Sequence, residues 1–330
     1  MYNLEMTKIL VTGAGGFIGG HLVSSLLAQE FDVIAVDHKP LNKWYQSHPG
    51  AENKSSDLSK LEDCRASVAG VEHIYNLAAD MGGMGFIESH KADCMLTVLI
   101  NTHMLMAAKE AGVSRFFFSS SACVYSAIKQ EVTNLQPLRE SDAYPAMPED
   151  GYGWEKLFSE RMCRHFSEDF GIETRVARFH NVYGPFGTYD GGREKAPAAI
   201  CRKVAHAKIA GINEIEIWGD GNQTRSFMYI EDCVKGTQMI MNGRSSEPVN
   251  LGSEEMVSIN QLVSATEEIA GIKLNRKYDL SAPQGVRGRT SDNEMMREVY
   301  DWEPTTPLAS GLAKTYQWIY DEIKSGRPAI

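Results

Sequence analysis

The chain has 330 residues, enough for one large domain or two lobes around a substantial buried core, and its 43% hydrophobic and 23% charged content is ordinary for a globular protein. A formal net charge of -10 argues against a general binder of nucleic acid or anionic membranes, so an anionic ligand would need a local cationic pocket. Six cysteines (Cys64, Cys94, Cys123, Cys163, Cys201 and Cys233) show no Cys-x-x-Cys spacing, and the histidines show no ligand spacing. These patterns argue against a metal site or a disulfide framework and point to a reducing, cytoplasmic compartment.

Residues 1–8 contain no basic region followed by an apolar run, so no secretory leader is expected, and no apolar run approaches the length of a membrane span. Residues 8–12 form a short β-rich run, followed by Gly13-Ala14-Gly15-Gly16-Phe17-Ile18-Gly19 and an apolar-periodic helix through Leu22, Val23, Leu26 and Leu27. Strand, glycine turn and helix open a dinucleotide-binding unit, in which Gly13, Gly16 and Gly19 let the backbone approach a pyrophosphate. The amides of Phe17, Ile18 and Gly19 begin the helix that would receive it. The spacing is Gly-x-x-Gly-x-x-Gly rather than the commoner Gly-x-Gly-x-x-Gly.

A second strand, residues 32–37, ends in Asp37. This carboxylate is placed to accept hydrogen bonds from the adenosine ribose, favouring NAD over NADP. Asp57 closes a short third segment, where it could contact the adenine. Residues 73–79 read as a buried strand whose Leu77, Ala78 and Ala79 would let a cofactor lie against the backbone, followed by a glycine-rich loop over residues 80–86. A long helix over residues 90–111 offers Met95, Val98, Leu99 and Met106 for packing. A strand at 115–119 follows, and then a helix carrying Tyr152 and Lys156, with Leu157, Met162, Phe166 and Phe170 as core candidates. These two long helices could also pair across a dimer interface.

After a strand at 174–179 the strand–helix alternation loosens. Loops at 180–195 and 280–292 separate helices near 196–207, 230–241, 259–270 and 308–324. The expected fold is α/β: a Rossmann-type doubly wound parallel sheet, mainly residues 1–179, with a smaller C-terminal α/β substrate lobe, mainly 180–330, and some exchange of chain between them.

Tyr152 and Lys156 lie four apart, on one helix face. An ammonium beside a phenol favours the phenolate, so a tyrosine whose ordinary pKa is about 10 could act as a base near neutrality. Such a base can take a hydroxyl proton while hydride leaves the same carbon.

The glycine turn, Asp37, Asn76-Leu77-Ala78-Ala79, Ser119-Ser120-Ser121, Tyr152-x-x-x-Lys156, residues 178–185 (RFHNVYGP) and residues 219–227 (GDGNQTRSF) occur in an order that resembles the extended short-chain dehydrogenase/reductase family acting on nucleotide sugars. Residues 76–86, 120–123, 191–199 and 286–293 narrow the resemblance to the branch that epimerises C3 and C5 of GDP-mannose.

The resemblance implies NAD as cofactor and GDP-mannose, or a related nucleotide sugar, as substrate. Oxidation at C4 with Tyr152 as base would acidify the hydrogens on C3 and C5, and a second acid/base pair would then move those protons. It assigns that pair to Cys123 and Lys195: a thiol, ordinarily near about 8.5, needs only a modest shift to act as a base, and a buried lysine could be the matching acid.

Ser121 would hydrogen-bond the C4 oxygen. Asn181, Lys203, Arg225 and one of Arg287 and Arg289 would hold the diphosphate. The matched stretches add Gly82, Met84, Ala122, Glu194, Ala196, Gln223 and Thr224 to the implied substrate contacts. The implied product is GDP-L-galactose, with GDP-L-gulose as by-product. A 4-epimerase or 4,6-dehydratase on another nucleotide sugar, and a non-catalytic NAD-sensing protein, remain open at this point.

Overall fold

The structure is a computed structural model that describes residues 7–326. The N-terminal stretch read as lacking a secretory signal falls largely outside the described residues. In chain order, β1 (Lys8–Thr12), α1 (Phe17–Leu27), β2 (Asp32–Asp37), β3 (Glu52–Ser55), α2 (Leu61–Ser67), β4 (His73–Asn76), α3 (Met84–Ser89), α4 (Lys91–Ala111), β5 (Arg115–Ser121), α5 (Tyr152–Phe170) and β6 (Glu173–Phe179) form the alternating part. Then come β7 (Val182–Tyr183), α6 (Ala196–Ala210), β8 (Glu214–Trp218), β9 (Thr224–Ser226), β10 (Met228–Tyr229), α7 (Ile230–Asn242), β11 (Val249–Leu251), β12 (Met256–Ser258) and α8 (Ile259–Ala270). The chain closes with β13 (Asn275–Asp279), β14 (Gly288–Arg289), α9 (Glu294–Tyr300) and α10 (Leu308–Lys324).

Seven strands form one parallel sheet in the order β11-β6-β5-β4-β1-β2-β3. Helices cover both faces, so its central strands are apolar on both sides rather than alternating. The run Phe116-Phe117-Phe118 shows this directly. All three rings are buried, with Phe117 in the core on one face and Phe116 and Phe118 in the core on the other, as the two-residue period of a strand requires. Each contributes roughly 1.5–3 kcal/mol of burial. β11 belongs to this sheet although it lies far along the chain, and the remaining strands make small two- and three-stranded sheets.

The strand order reverses between β1 and β4, and the crevice beyond their carboxyl ends is where such sheets bind ligands. β4 stops at Asn76 instead of running to residue 79. The Leu77 and Ala78 amides leave the ladder to donate to Thr12 Oγ1, at 3.0 and 3.1 Å, which opens the backbone toward the crevice.

The structure sharpens four other expectations. The loop expected over 80–86 ends at Gly83, where α3 begins. Met95 and Leu99 on α4 are exposed, because only the opposite stripe of that helix, including Thr97, Asn101, Met104 and Leu105, faces the core. Phe170, at the last turn of α5, is also exposed and carries the Lys109 ammonium 4.1 Å from its ring centroid. The loops at 180–195 and 280–292 contain the short strands β7 and β14. Among the described residues no helix is long and apolar enough to cross a membrane, and no cluster of ligating side chains could hold a metal ion.

Candidate active site

The glycine turn packs backbone against backbone. A Cβ on Gly19 would sit 2.2 Å from the Gly13 carbonyl oxygen, so α1 can start this close to the turn only with glycine there. Gly16 caps α1 without a side-chain hydrogen bond, and its first turn holds no acid. The free amides of Phe17, Ile18 and Gly19 therefore keep their positive end for an anion. Asp37 is buried at the end of β2, and its Oδ1 accepts from the Lys39 amide at 3.0 Å.

These features fit a dinucleotide: an uncapped helix N-terminus for the pyrophosphate and a strand-end carboxylate for a ribose. Asp57 is engaged locally by Ser59 and Lys60, which hold its carboxyl below the ordinary range. Sequence reading missed Trp44, whose indole lies against Gly15 and donates to the Lys39 carbonyl at 3.0 Å.

At the other end of the crevice β5 runs through Ser121 into a short turn holding Ala122 and Cys123, and the Cys123 amide donates to Ser121 Oγ at 3.2 Å. α5 starts directly on this turn. A Cβ on Gly153 would meet the Cys123 carbonyl at 2.3 Å, so glycine is what presses Tyr152 against Cys123. Tyr152, Cys123, Cys94, Phe86 and Ile87 share one buried cluster.

Lys156 is 1% exposed, with its ammonium 5.4 Å from the Tyr152 ring centroid and 4.8 Å from that of Phe118. The expected phenolate bias is nonetheless reversed in the protein alone. Burial, reinforced by Cys123 and Glu155, pushes the Tyr152 phenol well above its ordinary value, and the Ser121 hydroxyl opposes this. Glu155, unremarked in the sequence, adds to the rise that burial causes, and its Oε2 lies 3.6 Å from the Lys156 ammonium. Asn101 and Ser159 hold its Oε1.

Burial likewise raises the Cys123 thiol, aided by Glu149 and opposed by Arg289, to about 11. Burial lowers Lys195, and Cys123 is the largest influence opposing that fall. Lys195 stands at the N-cap of α6, immediately before Ala196. Glu194 beside it accepts from Arg202 at 3.0 Å and from the Gly192 amide at 2.7 Å, pinning the loop that delivers Lys195. That loop also docks on the loop before α3, through the Gly83 amide to the Arg193 carbonyl at 3.0 Å. Gly82 and Met84 line this junction, Gly82 beside Phe86 and Arg193, and Met84 beside Gly285.

The implied diphosphate residues divide. Arg225 donates to the carbonyls of Thr224, Gln284 and Val286, and burial, with Arg289 close by, lowers it to about 9. Arg289 is buried, bound to Gln130 Oε1 at 2.6 Å and ion-paired with Glu149, with Cys123 Sγ at 3.7 Å. Arg287 is half-exposed and paired with Asp220 at 3.1 Å.

Thr224 donates to the Thr133 carbonyl, Gln223 donates to that of Trp218 while its own Oε1 is buried without a partner, and Asn181 donates to the Ser226 carbonyl. Lys203 is committed to Glu216 on β8. His180 is structural: burial lowers it to about 3, and Nε2 meets Asn250 Oδ1 at 2.9 Å. Glu149 and Gln130 were not foreseen. Each reaches Arg289 from more than a hundred residues away along the chain.

The sequence model of the NAD dependent epimerase/dehydratase family matches residues 9–252. The chain is 46% identical over 321 residues to GDP-mannose 3,5-epimerase 1 of Oryza sativa subsp. japonica, covering 97% of this chain and 83% of that protein. The GDP-mannose 3,5-epimerase of Arabidopsis thaliana is also 46% identical, with 97% and 84% covered. Among solved structures, UDP-glucose 4-epimerase of Thermotoga maritima with UDP-glucose matches at a TM-score of 0.86 and 25% identity, over 96% of this chain and 99% of that one. MoeE5 in complex with UDP-glucose and NAD matches at 0.78 and 30%, with the same coverage. With the glycine turn, Asp37 and the Tyr152/Lys156 pair in place, this chain belongs to the NAD dependent epimerase/dehydratase family.

Proposed function

We propose that this protein epimerises GDP-mannose at C3 and C5 to GDP-L-galactose, releasing GDP-L-gulose when only C5 is inverted. Beyond the identity to the plant enzymes, the reading is supported above all by the convergence of Cys123 and Lys195 on the Tyr152 pocket. A redox cycle at C4 needs only a tyrosine and a lysine. Proton transfer at a neighbouring carbon needs a second acid/base pair, and these two side chains supply one.

NAD, when bound, supplies the acceptor and later the donor of the C4 hydride. Gly13, Gly16, Phe17, Ile18, Gly19 and Asp37 would hold it, with Leu77, Ala78 and Ala79 beneath. Tyr152 takes the C4 hydroxyl proton and later returns it, while Ser121 orients the oxygen. Lys156 offsets the phenolate charge in a pocket where burial opposes it. The C4 carbonyl makes the hydrogens at C3 and C5 acidic, and Cys123 and Lys195 exchange them. Arg225, with Arg287 at the more open edge, would meet the diphosphate.

The protein is further proposed to be a cytoplasmic homodimer. Its six free cysteines suit a reducing compartment. On the packed pair α4 and α5, the exposed side chains Met95, Leu96 and Leu99 and Trp154 and Phe158 fit pairing with a second copy. Light scattering should give twice the chain mass.

The test of function is incubation with GDP-mannose in deuterium oxide, followed by NMR. Deuterium at C3 and C5 with new epimers is expected. No exchange from this substrate overturns the assignment, and full turnover by Cys123→Ala would favour a simple 4-epimerase.

A further inference from the structure

Arg193 is not used by the reaction above, yet it stands two residues before Lys195 and reaches across to the opposite loop. Its Nη1 donates to Asp80 Oδ1 at 2.5 Å and to the Met81 carbonyl at 3.3 Å, and its guanidinium lies 3.7 Å from the Phe86 ring centroid. Its own carbonyl accepts from the Gly83 amide at 3.0 Å. The Asp80 amide donates to Thr97 Oγ1 of α4 at 3.1 Å, so these contacts tie the loop that carries Lys195 to the framework of the fold.

We propose that Arg193 is a positioning residue, the clasp between two loops that cover the pocket: closed, it holds Lys195 against the sugar beside Cys123, and released, it lets the loops part and the nucleotide sugar enter. The catalytic part of this rests on the proposed epimerase function; the clasp itself does not.

Tyr152 and Cys123 are 4% and 6% exposed, and Phe86, with Met81 packed alongside, shares their buried cluster. A sugar that must present three adjacent carbons to Tyr152, Cys123 and Lys195 reaches them only if a covering segment moves. Phe86 belongs to that cover, and Arg193 caps its ring. On the other loop, Gly191 and Gly192 have φ of +89° and +86°, and a Cβ on either would meet nothing within 4 Å. Glycine there answers to backbone conformation rather than to space, as a hinge requires. Gly83 is the contrary case. A Cβ on it would lie 2.4 Å from the Glu194 carbonyl oxygen, so glycine lets the two loops dock backbone to backbone.

Glu194 turns the other way, to Arg202 of α6, which leaves Arg193 as the neighbouring side chain that crosses between the loops. Its ion pair with Asp80 is half-exposed on both sides, and such pairs are weak, so it can open in each turnover. The Phe86 face adds to the attraction only while the loops are closed.

The test uses the NAD-bound protein. The Gly83 amide should be protected from hydrogen exchange in the wild type, and Arg193→Gln should speed its exchange by about tenfold or more. Equal protection in R193Q overturns the clasp. With GDP-mannose in deuterium oxide, R193Q should slow exchange at C3 and C5 by about ten- to a hundredfold, kcat falling while KM changes little, as for an acid/base group displaced by about an ångström. A raised KM with intact kcat would make Arg193 a substrate-binding residue and overturn the proposal. Asp80→Asn should reproduce both effects, and D80N/R193Q should be no worse than either single variant, because the two side chains act as one contact; additive losses overturn it. Absence of exchange at C3 and C5 in every form would count against the epimerase reading and leave the Gly83 amide to decide the clasp.

Discussion

The two ends of the crevice are built from different materials. On the cofactor side, shape comes from backbone: Gly19 against the Gly13 carbonyl, an uncapped helix start, and the Thr12 hydroxyl holding the Leu77 and Ala78 amides. On the substrate side, shape and charge come from long side chains paired across the fold, Arg289 with Glu149, Arg287 with Asp220, and Arg225 with three carbonyls. A backbone cradle tolerates almost no change, whereas a side-chain lattice can be retuned one charge at a time. Tyr152 stands at the seam and takes its character from both.

The sharpest way to break the cofactor side is Gly19→Val, which places a side chain where 2.2 Å separates a Cβ from a carbonyl oxygen. NAD binding by calorimetry should be lost, and intact affinity would refute the backbone account. At the seam, Tyr152→Phe removes the C4 acid/base and should lower kcat by on the order of 10²–10⁴ while NAD still binds.

A finer probe is Glu155→Gln. Glu155 is one of the charges that raise the Tyr152 phenol, so neutralising it should lower the phenol's pKa. A base must be deprotonated to act, so the acid limb of the kcat profile should move to lower pH, and a limb that stays put would show that Glu155 does not raise the phenol.

The smallest effect is expected on the substrate side from Asp220→Asn. Its hydrogen bond to Arg287 holds the Asp220 carboxyl down to about 2, but the pair is largely exposed and worth no more than about 1 kcal/mol. Because the folded pKa lies below the unfolded value of about 4, this stability is complete above pH 4 and lost as the pH falls toward 2. Denaturation of the variant should lack that component of the acid slope. A larger loss at neutral pH would mean that the pair supports the fold.

The sequence by itself determined the alternation of β and α elements, the glycine turn, Asp37 at a strand end, and Tyr152 one helical turn before Lys156. Each is a local pattern whose meaning is set by strand and helix periods and by glycine's missing side chain. It could not determine which face of α4 is covered, so the sequence leaves Met95 and Leu99 open between core packing and pairing across a dimer, and the structure exposes both.

Nor could it show that Glu155 would add to the rise of the Tyr152 phenol, or that Glu149 and Gln130 would converge on Arg289 across separations of 140 and 159 residues. Those contacts exist only because the loop after β5 and the start of α5 fold against β14. Burial there removes the water that would otherwise screen the charges, so the direction in which Tyr152, Cys123 and Lys195 are each shifted was decided by the tertiary structure alone.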